Sequence, residues 1–308
     1  MALPFNGLIS LERQDRMRSN KDSISPLVII GAGRSGTNIV RDTLVHLPGW
    51  ETWDCDEINL IWRHGNIHHP HDIFGAELAR PKVKKFIQGA FESFKKQSAA
   101  DVVVEKTCAN SMRVPFIKEV FPQARFLYIT RDGRDVALSA AKRWTASVEM
   151  EYLLKKLKYV PKVDIPFYGI RFVKNRIHQA RSQEKRQAIW GPVFPGMADW
   201  AKENALIDVC ARQWAESVNE ADKAFQDTPA DQWHAIKYED FVTNPKTVLA
   251  EVMQWYNPKL ETPNFDVAVK DIHANSLYGW KRKQDKFSLR TLEILSPILE
   301  RHNYAPSA

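Results

Sequence analysis

Two short stretches of this 308-residue chain put glycines, arginines and small hydroxyl side chains where they would meet an anion. The first, GAGRSGT at residues 31–37, follows the apolar run Leu27 to Ile30. Gly31, Gly33 and Gly36 let backbone N–H groups approach a phosphate, and a helix starting near Thr37 adds its N-terminal donors and dipole. Arg34 can fork onto two oxygens. The second stretch, RDGRDVALS at residues 131–139, repeats the plan: Arg131 at a strand end, Asp132 and Asp135 in the first helical turn, Ser139 two turns on. Two anion sites at the strand ends of one sheet suit a ligand with two separated phosphates.

Other phosphate chemistries fit less well. The glycine spacing matches a dinucleotide fingerprint, but that fold needs a second strand ending in an acid about 20 residues on. Here the corresponding stretch, GWETWDCDEINLIW, has acids among aromatics with no apolar strand before them. A strict nucleoside-triphosphate loop needs Lys-Ser/Thr after its last glycine, and Thr37 stands there instead. A nucleotide kinase, an NAD-dependent enzyme and a non-catalytic polyanion binder remain as competing readings. The first two leave Arg131 and Ser139 unexplained, and the third leaves both turns idle.

The elements that must hold these residues alternate. Strands are expected at Leu27 to Ile30, Val102 to Glu105, Phe126 to Thr130 and His234 to Tyr238, with helical patterns around residues 39–47, 86–94, 210–225 and 245–256. That order predicts a three-layer α/β fold with a central parallel sheet and a P-loop-like nucleotide cradle. A single domain over 25–308 is expected, preceded by a loosely packed arm over 1–24. From Lys155 to Arg186, ten Lys or Arg stand against Asp164 and Glu184, a net of +8 within a whole-chain +7. A helical basic insertion of about 145–205 is therefore expected on the acceptor side of the sheet. Three scattered cysteines and the lack of a leader-like or 18-residue apolar run point to a cytoplasmic protein. His64, His68, His69 and His71 invite a metal, but their spacing fits no zinc pattern, so no metal site is expected.

Taken in order, GAGRSGT, EKTCANSMRVPFI, RDGRDVALS, IKYEDFVTNP and NSLYGWKRK resemble the signatures of the sulfotransferase family that uses 3′-phosphoadenosine 5′-phosphosulfate (PAPS). The similarity is nearest to the Arg-loop branch that includes tyrosylprotein sulfotransferases, because Arg34 stands where cytosolic small-molecule members carry lysine. The resemblance implies transfer of a sulfuryl group to a hydroxyl, leaving adenosine 3′,5′-bisphosphate, with no metal required. It implies that the first loop, Gly33, Arg34, Ser35, Gly36, Thr37 and Asn38, holds the 5′-phosphosulfate, and that Arg131 and Ser139 hold the 3′-phosphate. Tyr238 would touch the nucleotide and Ser276 the leaving phosphate, while Lys281, Arg282 or Lys283 would complete the 3′-phosphate site. Cytosolic members place a catalytic histidine where Cys108 stands here, so the base must come from elsewhere. Glu57 is the choice, with Asp54 and Asp56 as neighbours able to take the role; Arg34 and Lys106 would stabilise the departing phosphate. The acceptor is expected to be a carbohydrate or lipid, an anionic glycan or glycolipid among the candidates, with peripheral contact at the inner membrane surface allowed for; no nucleic-acid partner is expected.

Overall fold

The computed structural model describes residues 24–146, 158–170, 173, 189–259 and 263–304. Almost all of the expected N-terminal arm, and residues 147–157, 171, 172 and 174–188 of the expected basic insertion, lie outside the described residues. Five strands form the sheet: β1 (Leu27–Ile30), β2 (Trp50–Glu51), β3 (Val102–Lys106), β4 (Arg125–Thr130) and β5 (Trp233–Lys237). Their order is β2-β3-β1-β4-β5, and every neighbouring pair is parallel. In chain order the helices used below are α1 (Thr37–Leu44), α2 (Asn59–Trp62), α3 (Pro81–Ser98), α4 (Val114–Val120), α5 (Gly133–Trp144), α6 (Met197–Glu203), α7 (Leu206–Gln226), α8 (Tyr238–Thr243), α9 (Pro245–Tyr256), α10 (Asp266–Val269) and α11 (Leu289–Arg301).

A central parallel strand is covered on both faces, so β1 is apolar at every position and fully buried. Its side chains still alternate. Val28 and Ile30, with Phe126 and Tyr128 of β4, pack among Phe91 of α3, Ile117 of α4 and Phe225 of α7. Leu27 and Ile29, with Leu127 and Ile129, pack among Val40 and Leu44 of α1 and Leu249 and Val252 of α9. A third apolar cluster joins α5, α7 and α11 through Trp144, Trp214 and Leu295. The three layers are therefore helix, sheet and helix.

The chain leaves β1 toward β3 and β2 on one side, then crosses to β4 and β5 on the other. In such sheets the crevice at the strands' carboxyl ends, where connections diverge, is the place for a ligand. Both glycine turns open there. Two expectations about elements change. Strand β2, absent from the sequence reading, is a two-residue edge strand with Trp50 buried, too short to show a period. Tyr238 is not the last residue of a strand: β5 stops at Lys237 and Tyr238 begins α8, which turns its ring back toward the first loop.

Candidate active site

The first loop is fixed by close packing around its glycines. Gly31 lies so near β4 that an added Cβ would sit 2.7 Å from Ile129 Cγ2. Gly36 has φ +92°, in the left-handed region, and a Cβ there would lie 2.2 Å from the Tyr238 ring. Arg34 also has positive φ, +74°, unusual for a residue with a side chain and costing about 1–3 kcal/mol. That conformation places its Nε 3.1 Å from Ser139 Oγ on α5, so the two glycine turns meet through their side chains. Burial lowers the Arg34 pKa, and the guanidinium groups of Arg143 and Arg131 lower it further.

Arg131, at the end of β4, ties the site together. It donates to the carbonyls of Arg34 (3.1 Å) and Ser276 (3.0 Å), and its guanidinium lies 4.1 Å from the Tyr238 ring centroid. Tyr238 and Ser276 share a hydroxyl hydrogen bond of 2.7 Å. Asp132 caps α5 by accepting from the Arg134 backbone N–H, and Asp135 accepts from Trp280 N–H. Through Asp135, the segment carrying Arg282 and Lys283 is held against the start of α5. Trp280 is buried with the Arg134 guanidinium 3.6 Å from its ring, so it serves packing.

A different arrangement stands at the ends of β1 and β3. Lys106, the last residue of β3, is buried with its Nζ 3.0 Å from Asp56 and 3.2 Å from Glu57. Burial alone would pull its pKa down, but the carboxylate charges of Glu57 and Asp56 oppose it and the ammonium is held well above the usual lysine range. Glu57 also accepts from the Cys108 backbone N–H at 3.2 Å. Asp56 is shared by Asn38, Arg41 and Lys106. Burial, then the Glu57 charge, pushes the Cys108 thiol up to about 12, so it stays protonated and is no nucleophile at neutral pH.

All of this opens into one cleft of about 990 Å³. Of the residues singled out from sequence, Gly33, Arg34, Gly36, Thr37, Asn38, Glu57, Arg131, Ser139, Tyr238, Ser276 and Lys283 line it. Ser35 is buried behind the loop, and Lys106 lies beneath the carboxylates rather than on the wall. Lys281 is exposed beside the Tyr278 and Trp280 rings and does not line the cleft, whereas Arg282 does. Asp56 lines the cleft, but Asp54 does not; it accepts hydrogen bonds from Lys158 and Tyr159. Among the described residues no group of three or more His, Cys, Asp or Glu could hold a metal. His64 instead pairs with Asp164 at 2.8 Å.

Sequence reasoning missed part of the wall. Leu138 and Lys142 lie one helical turn apart on α5, which carries Ser139, with Arg143 beside them and Ala146 just past the helix end. Their spacing from Ser139, three and four residues for Lys142 and Arg143, was the available signal. Trp190, Gly191 and Pro192 add a further piece of wall beside Gly33, held by Gln213 Nε2, which donates at 2.7 Å to both the Trp190 and Pro192 carbonyls.

One end of the cleft can thus bind two anionic groups, and the other holds a carboxylate kept in place by a buried cation. No curated protein matches the chain. Among solved structures it is similar to the sulfotransferase domain from the curacin biosynthetic pathway, at 14% identity and a TM-score of 0.51, covering 92% of this chain and 99% of that one. It is also similar to sulfotransferase STF9 from Mycobacterium avium, at 11% identity and a TM-score of 0.53, covering 97% of this chain and 82% of that one. These likenesses are of fold. A family model described as the sulfotransferase family matches residues 26–186, more than half of the sequence and including both glycine turns, and the chain belongs to that family.

Proposed function

We propose that this sulfotransferase transfers a sulfuryl group from PAPS to a hydroxyl on a carbohydrate or lipid. The observation that carries the donor half is the convergence of two strand-end anion cradles on one cleft, joined by Arg34, Ser139 and Arg131. Two buried donors in these cradles, Ser35 Oγ and Arg131 Nε, meet no hydrogen-bond partner in the described protein, and a phosphate oxygen would satisfy such groups. When bound, the donor supplies an activated sulfur–oxygen bond whose cleavage leaves adenosine 3′,5′-bisphosphate.

On this reading Gly33 to Asn38 receive the 5′-phosphosulfate, with backbone N–H groups and Arg34 facing the charge that grows on the departing phosphate. Arg131 and Ser139 receive the 3′-phosphate, joined by Arg282 or Lys283 from the cleft wall; Lys281 is placed away from it. Tyr238 and Ser276, hydrogen-bonded to each other, close the nucleotide side. At the other end Glu57 takes the acceptor hydroxyl proton. Lys106, 3.2 Å away, orients that carboxylate and adds positive charge to the same end of the cleft. No step calls on a metal. The three cysteines, all free thiols, suit a reducing compartment, and a peripheral membrane contact at its inner surface would bring a lipid hydroxyl within reach.

Calorimetric titration with adenosine 3′,5′-bisphosphate tests the donor half, with AMP, ATP and NAD as controls. Metal-independent binding is expected, tighter than for any control, and Arg131→Ala should weaken it about tenfold to a hundredfold. Absence of binding, or a preference for magnesium–ATP or NAD, would overturn the reading.

A further inference from the structure

Outside the cleft, one part of the surface departs from what a water-soluble face requires. Among the described residues seven large hydrophobic side chains are exposed, and four of them fall within eleven residues: Val163 (77%), Ile165 (48%), Ile170 (59%) and Val173 (54%). Residues 165–170 are helical, and on a helical wheel Ile165, Pro166, Gly169, Ile170 and the position of Val173 share one half. The other half, Phe167 and Tyr168, is partly buried, with Phe167 edge-on to His68 at 5.1 Å.

The segment is not loosely placed. Asp54 accepts from Tyr159 Oη and, at 3.3 Å, from Lys158 Nζ. Buried Asp164 pairs with His64 at 2.8 Å, and Val160 is buried. The body therefore holds the polar and aromatic side of this segment and turns its aliphatic side outward. Exposed Lys158 and Lys162 flank that face, and the sequence from Lys155 to Arg186 nets +8. An aliphatic face rimmed by cations matches an anionic bilayer, whose headgroups meet the charge and whose acyl boundary takes the side chains. A second copy of the chain would bring the same positive charge to the contact and be repelled.

We infer that Lys158, Lys162, Val163, Ile165, Ile170 and Val173 form a docking surface for anionic lipid bilayers. The surface is anchored at Asp54, three residues before Glu57, and so joins the body close in the chain to the carboxylates of the cleft. The docking stands by itself; its link to a lipid-borne acceptor rests on the sulfotransferase reading of the cleft.

The test is co-sedimentation of the full chain with vesicles of equal parts phosphatidylglycerol and phosphatidylcholine, against vesicles of phosphatidylcholine alone. Binding to the anionic vesicles only is expected. Ile165→Ser with Ile170→Ser should weaken it about tenfold or more, and Lys162→Glu roughly tenfold at low salt. Each variant is first checked for unchanged affinity for adenosine 3′,5′-bisphosphate, which separates a failure of docking from a failure of the nucleotide site. No binding to anionic vesicles overturns the inference. So does binding that ignores the serine pair and vanishes with salt, because only solvated charge would then be acting. Dimers in sedimentation velocity that the serine pair abolishes would assign the face to a second copy instead.

Discussion

At the cradle end of the cleft, residues from four distant segments already grip one another: Arg131 holds the Arg34 and Ser276 carbonyls, Tyr238 packs on Gly36, and Arg34 reaches Ser139. Elsewhere along the cleft the walls are single short pieces pinned from behind. Gln213 holds Trp190 to Pro192, and the buried Asp72 carboxylate accepts from Val193 N–H at 2.8 Å while also pairing with Arg63 and Arg113. The first end is preorganised for a ligand of fixed shape, so little is lost to reordering on binding. The second wall is built from short connecting pieces that can vary without disturbing the sheet, and functional residues of many folds sit on such loops.

The sharpest way to break this division is Glu57→Gln. It should lower sulfuryl transfer by about 10²–10⁴-fold while leaving affinity for adenosine 3′,5′-bisphosphate within about twofold. Rates with radiolabelled donor and calorimetry on the same preparation decide it; a parallel loss of nucleotide affinity would mean that the ends are not separable. Next in size is Gly36→Ala, which adds a Cβ against Tyr238 at a left-handed φ and should cost about 2–4 kcal/mol of stability. A thermal melt reads this, and an unchanged midpoint would show that the cradle is softer than argued.

Glu105 gives a pH-dependent comparison within β3. It is fully buried, and burial pushes its pKa up to about 7, against hydrogen bonds from Thr107 and Asn110 that favour the carboxylate. A carboxyl whose pKa is higher folded than unfolded binds more protons in the folded state. Stability should therefore fall as pH rises from about 4.5 to about 7 and be level above, by at most about 3 kcal/mol. Glu105→Gln keeps a partner for both neighbours and should flatten that slope in melts taken from pH 5 to pH 8. The smallest effect is expected at Gln213→Ala, which frees the Trp190 wall: the acceptor KM should rise about tenfold, with nucleotide affinity unchanged. Equal losses at both ends would place Gln213 in the fold alone.

The cradle end was legible because its chemistry is local. A strand, a glycine turn and a helix start lie within about twenty residues, and each has a signature of its own. The same holds for Arg131 and Ser139. The carboxylate cluster at Glu57 is less legible. Resemblance alone singles out Glu57, and its pairing with Lys106 joins positions 49 residues apart that no spacing rule connects. Trp190 and Gln213 are brought together by packing of α7, and β2 is too short to leave a pattern. Tyr238 was placed by an apolar run that the chain breaks one residue early, because its ring is needed over Gly36.

That contact between Gly36 and Tyr238 also governs when the site comes into being. The two residues are 202 positions apart, and β4 pairs with β5 across more than a hundred residues. Contacts of such separation carry a large loop-closure cost and form late. A ribosome that has released only the first two hundred residues has made both glycine turns but not the aromatic ring that closes the first of them. Nucleotide capture is thus tied to completion of the second half of the chain, and a protein truncated before β5 would keep both signature sequences and lack the site they spell.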